Sequence, residues 1–188
     1  MGDLKNQLIE SAIEQFNRFG YKKTSLDDIV RDLNISKGTI YNFFKNKEDL
    51  FIQATKVGTD RMFEYLRGQI NQTSDVKENL ISYTNKKMQY LRDHSSQRGG
   101  NIAVMIELYK FYIRLRIMTP EKSILREILR PLEKKKGDQK SAHEFELNLN
   151  LIHRITSRFE ERWLRMDSKK AEKEIKALFD LLCDGLYH

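Results

Sequence analysis

Two short apolar-faced stretches, Leu26 to Leu33 and Lys37 to Phe44, stand only three residues apart. In the first, Leu26, Ile29, Val30 and Leu33 recur at spacings of three and four, the period of a helix with one buried face. Ser25 with Asp28 three residues later is a capping-box-like start for it. Asn34 tolerates the left-handed backbone that a tight turn needs, and Ser36 can cap a second helix running to about Phe44. Two short helices meeting across so brief a turn are what a helix-turn-helix requires.

The surrounding chain is helical in pattern. Leu8, Ile9, Ala12, Ile13, Phe16 and Phe19 form one apolar stripe over 4 to 19, and Gly20 ends it. A long helix starts near Lys47 and carries Leu50, Phe51, Ala54, Met62 and Leu66 toward a second domain. Helical periodicity returns in 76 to 93, 101 to 118, 120 to 135, 142 to 166 and 169 to 187, with Pro131 expected to end the third of these early. The spacing therefore predicts an all-α fold of about nine helices, divided into residues 1–50 and a larger C-terminal domain, 51–188. Only two prolines and nine glycines in 188 residues agree with long helices.

Net charge is +7, which favours an anionic partner, and Lys22, Lys23, Arg31, Lys37, Lys45 and Lys47 outnumber the acids between residues 20 and 47. The single cysteine, Cys183, cannot form an internal disulfide, and no apolar run spans a bilayer. The acid-containing start, MGDLKNQLIESAIEQF, is unlike a signal peptide, so a cytoplasmic location without membrane association is expected. Phosphate loops, nucleophile elbows and clustered metal ligands are missing, so the chain reads as no enzyme. His94, His143, His153 and His188 have no spacing that suggests a shared metal, and no cofactor is expected.

The segment GYKKTSLDDIVRDLNISKGTIYNFFKNKEDLF, Gly20 to Phe51, resembles the TetR family of bacterial transcription regulators. The resemblance rests on Thr24-Ser25, Ile29-Val30, Ser36, Gly38, Thr39, Ile40 and Tyr41, then Phe44 and Lys47, Glu48 and Leu50, all at the family spacing. It implies a homeodomain-like three-helix domain and a repressor, or with the same contacts an activator, on double-stranded operator DNA. DNA contacts are expected from Thr24, Ser25, Ser36, Lys37, Gly38, Thr39, Tyr41, Asn42, Phe43 and Lys47. Lys37, Thr39 and Asn42 suit base edges, and Tyr41 and Lys47 suit phosphates. The chain departs from the family at Leu33-Asn34, usually Ala-Gly, and at Phe43, usually His or Tyr, where an apolar or thymine-methyl contact replaces a polar one.

The resemblance also implies a homodimer through the last two helices and a small-molecule effector among the middle ones. Leu149, Ile152, Phe159 and Trp163, with Ile175, Leu178 and Leu182, have the spacing for such a dimer stripe. A helix capped by Ser141, with Glu144 three residues on, would carry the first four. Tyr83, Met88, Tyr90, Met105, Tyr109, Phe111 and Tyr112 would line a cavity for a hydrophobic or aromatic effector. Arg114 or Arg116, should either face it, would suit an anionic ligand such as an acyl conjugate. Control by a protein partner, or action without ligand, is the alternative.

Overall fold

The computed structural model describes residues 2–31, 33–70, 75–97, 103–104, 106–108, 111, 119–132 and 139–186. Among these, regular structure is helical: α1 Gly2–Lys23, α2 Leu26–Arg31, α3 Lys37–Ile40, α4 Lys47–Gly68, α5 Val76–Gln97, α6 Thr119–Leu129 with a 3-10 turn at Arg130–Leu132, α7 Gln139–Arg165 and α8 Ser168–Leu186. The chain forms two compact units, one of 1–62 with 92–117 and one of 63–91 with 118–188.

In the first unit the apolar stripe closes into a core of Leu8, Ala12, Phe16, Leu26, Ile29, Ile40, Phe44, Leu50 and Phe51. Phe19 does not join it. The residue is 42% exposed, with the Arg18 guanidinium 5.0 Å above its ring, at the end of the regular helix just before the break at Gly20. Gly20 breaks α1 at φ 82, ψ 165, a backbone that a β-carbon disfavours, and three further helical residues follow. Asn34 takes the left-handed conformation, φ 52, in the turn between α2 and α3.

Several helix starts follow from side chains that take up free N–H groups. The Ser25 hydroxyl accepts from the Asp28 backbone N–H at 3.1 Å, while Asp28 accepts the Ser25 N–H at 2.9 Å, a reciprocal capping box. Asn46 accepts the Asp49 N–H at 2.8 Å, and Asp75 and Asp167 accept N–H groups of the first turns of α5 and α8. Ser141 is no cap. The α7 helix already runs from Gln139, since Gln139 and Lys140 favour helix and extend it upstream. Pro131 ends α6 as expected, α-helix giving way to the 3-10 turn at Arg130.

Candidate nucleic-acid interface

α3 is a single turn of α-helix from Lys37 to Ile40 and then tightens. Tyr41, Asn42 and Phe43 donate their N–H groups three residues back, to Gly38, Thr39 and Ile40, and Phe44 returns to Ile40 at 2.9 Å. Ile40 and Phe44 are buried and fasten the element to the core. The opposite side carries Ser36, Lys37, Gly38, Tyr41 and Asn42 in solvent, with Tyr41 55% exposed and Thr39 half-buried. A β-carbon at Gly38 would meet only the Ser36 hydroxyl, at 3.5 Å, so the protein's own packing does not demand glycine; the open space lies outward, where a duplex would approach. Ser36 Oγ and Thr39 Oγ1 are 3.0 Å apart.

Two lysines of this region are engaged within the protein. Lys37 donates to Asp27 Oδ2 at 3.0 Å. Lys47, at the start of α4, holds its ammonium 4.4 Å over the Tyr21 ring. Burial pushes its pKa down, against a pull upward from Asp28. Tyr21 is fixed in turn by rings, 4.8 Å from Phe51 and 6.3 Å from Phe111, and Phe51 lies 4.7 Å from Phe111.

The structure thus leaves Ser36, Lys37, Gly38, Tyr41 and Asn42 exposed at α3 with Thr39 half-buried among them, Lys47 half-buried at the start of α4, and Ser25 exposed at the start of α2. Thr24 is different. It is 2% exposed, and its hydroxyl donates to the Gly20 and Gln15 carbonyls, so it ties α1 to α2 and offers nothing to DNA. Phe43 is half-buried against the core, its ring 6.4 Å from Phe44. Tyr21 was not singled out by sequence; its signal is the aromatic residue beside the glycine break.

Of the expected effector residues, Met105, Tyr109 and Tyr112 lie outside the described residues, as do Arg114 and Arg116. Phe111 packs in the first unit on Phe51 and Tyr21. Tyr83, Met88 and Tyr90 belong to the second unit: Tyr83 and Met88 are buried, and Tyr90 lies 5.2 Å from the Tyr65 ring. There the sequence reading missed an ionic cluster. Lys87, on the buried face of α5, donates to Glu160 of α7 at 2.7 Å and to Glu121 of α6, which also accepts from the Tyr83 hydroxyl at 3.2 Å. His153 Nε2 stands 3.6 Å from Glu121 Oε2. Lys87, Glu121 and Glu160 are each at most 1% exposed.

Burial alone would push the Glu121 carboxyl up; the Lys87 ammonium, aided by His153, outweighs it and holds Glu121 down to about 2. Burial likewise works against a charged Lys87, but Glu121 and Glu160 keep its pKa above the ordinary lysine value. The signal in the sequence was a charge on an apolar stripe, as in Leu80, Tyr83, Lys87, Leu91.

The dimer stripe also needs correction. Leu149, Ile152, Trp163 and Ile175 are enclosed by the protomer and form its core, so they cannot reach a second copy. The apolar surface left open runs along Leu147, Leu151 and Phe159 on α7, with Ile155 half-buried between them. On α8 it continues through Leu181, 74% exposed, and half-buried Leu178 and Leu182. Beside it, Arg158, Arg162 and Arg165 with Glu161 and Met166 border an open groove of about 480 Å³, and Arg162 is tied to Glu174 at 2.8 Å.

Residues 8–54 match the family model for bacterial regulatory proteins of the tetR family. The chain is 41% identical over 73 residues to an HTH-type transcriptional regulator, YhgD, of Bacillus subtilis, a match covering 39% of this chain and 34% of that relative's length. It is 24% identical over 190 residues to the fatty acid metabolism regulator protein of Bacillus subtilis, covering 97% of this chain and 95% of the relative. Among solved structures it is similar to FadR of Bacillus subtilis in complex with stearoyl-CoA, with TM-score 0.56, 24% identity, and 93% and 96% of the two chains covered.

Proposed function

Because this chain belongs to the TetR family of helix-turn-helix transcriptional regulators, we propose that it is a cytoplasmic homodimeric repressor that leaves a palindromic operator when a hydrophobic effector binds. In this reading residues 1–50 hold DNA, and 51–188 dimerise and take the effector. The observation that carries it is the α3 face: Lys37, Tyr41 and Asn42 on the outside with half-buried Thr39 among them, Ile40 and Phe44 locked inside. Lys37 donates to guanine, Asn42 pairs with adenine, and the Thr39 methyl meets thymine. Tyr41 and Lys47 take phosphates on either side, and the bare Gly38 lets the backbone come close. Two copies joined through the open apolar face of α7 and α8 would read a palindromic operator with half-sites one turn of DNA apart, about 34–36 Å.

A long-chain acyl thioester is the first effector to try. What supports it is likeness over nearly the whole chain to a fatty acid metabolism regulator, and to a FadR crystallised with stearoyl-CoA.

The test is binding of the purified protein to the DNA upstream of its own gene across a salt series, with and without stearoyl-CoA. Specific, salt-sensitive binding that weakens in Tyr41→Ala and Lys47→Ala and is released by the thioester supports the whole reading. Affinity unchanged by any small molecule would instead favour control by a protein partner. Sedimentation of Leu181→Glu as a monomer, against a dimer for the unaltered chain, checks the α7 and α8 face.

A further inference from the structure

We infer that Asp27 is a specificity-determining residue: its carboxylate restrains the Lys37 ammonium, so that Lys37 leaves it only for a matching base edge. The inference rests on α3 being the element that reads DNA.

Lys37 is the only charged residue between Ser36 and Phe44, so the reading element has one cation to place. That cation is already taken. Its Nζ meets Asp27 Oδ2 at 3.0 Å, reaching from the first turn of α3 back to the first turn of α2. The carboxylate also strengthens the lysine's hold on its proton. Arg31, the cation of α2, is likewise held, by Asp28 at 2.5 Å. The side chains of Lys37 and Asp27 are 47% and 64% exposed. An ion pair so open to water is weak and exchanges readily, and Asp27 regains full hydration when its partner departs. Transfer of Lys37 to the N7 and O6 acceptors of a guanine therefore costs little.

Where no guanine presents N7 and O6 together, the ammonium stays with Asp27, whose carboxylate already offers it an anionic partner equivalent to a phosphate. On DNA of arbitrary sequence Lys37 then displaces no counterion and adds nothing to affinity, while at a matched site it contributes in full. A carboxylate placed beside a reading lysine acts against the wrong partners more than for the right one.

The experiment measures binding of the full chain to a labelled duplex of arbitrary sequence between 50 and 200 mM salt, for the unaltered protein, Asp27→Asn, Lys37→Gln and the double variant. Circular dichroism melts confirm that all four are folded. Asp27→Asn is expected to bind more tightly, with a salt slope steeper by about 0.9, so that its advantage shrinks about 3.5-fold across that range. Lys37→Gln alone leaves the Asp27 carboxylate unpaired and is expected to bind more weakly, whereas the double variant, neutral at both positions as the ion pair is, should match the unaltered chain in affinity and salt slope. A gain that persists without Lys37 would mean simple charge repulsion and overturn the inference. So would a double variant that binds more weakly than the unaltered chain and with a flatter salt slope, which would place Lys37 on phosphate from the start. Absence of salt-dependent binding by the unaltered chain would instead remove the reading of α3, and the inference with it.

Discussion

Among the described residues, the first unit keeps its charges at the surface around an apolar core, whereas the second encloses a lysine, two glutamates and a histidine inside its own. Lys37 and Lys87 show the contrast. Each meets carboxylates of other helices, yet one pair is open to water and the other is sealed from it. In water a lysine can change partners at little cost; in a low-dielectric interior, losing a partner leaves a bare charge. The first arrangement suits the proposed role of α3, in which protein contacts are traded for DNA contacts. The second fixes α5, α6 and α7 against one another.

Lys87→Met strands Glu121 and Glu160. It is expected to lower unfolding free energy by about 3–5 kcal/mol in urea titrations. The triple variant Lys87→Met, Glu121→Leu, Glu160→Leu removes the charges together and should be neutral or more stable. A mild effect of the single change would mean that water reaches the cluster.

Acid titration is next in size. Glu121 has a folded pKa depressed to about 2 from its ordinary 4.5, so the unfolded chain takes up the proton first. The resulting stability is present above pH 4.5 and is lost as pH falls toward 2, amounting to about 3 kcal/mol. Urea melts of Glu121→Gln should lack that part of the pH dependence. Equal acid sensitivity of both proteins would place the effect elsewhere.

In the first unit the expected effects are backbone ones. Gly20→Ala forces a β-carbon into φ 82 and should cost about 1–2 kcal/mol, although Val104 Cγ1, the nearest atom at 3.6 Å, leaves room. Ser25→Ala opens the capping box and should cost about 1 kcal/mol by thermal melt.

What the sequence disclosed follows the same division. The α2 and α3 region was legible because its rules are local: a capping box, an Asn turn and a three-to-four residue period settle backbone and face within twenty residues. Thr24 escaped because its hydroxyl reaches Gln15, nine residues back, and such a bond leaves no mark on spacing. In α7 and α8 the period was plain but its direction was not. The same stripe that suits a partner also suits the protomer's own core, and Leu149, Ile152, Trp163 and Ile175 went inward. Lys87, Glu121 and Glu160 are far apart in sequence, and their proximity exists only once three helices assemble.

Trp163 is the only tryptophan of the chain. It is fully enclosed, its ring stacked 5.6 Å from that of Phe159, and Phe159 is 37% exposed on the open face of α7. Association of two copies there would change the surroundings of Phe159 and, one ring further in, those of the indole. The emission spectrum of the unlabelled protein would therefore report on the proposed assembly by dilution alone.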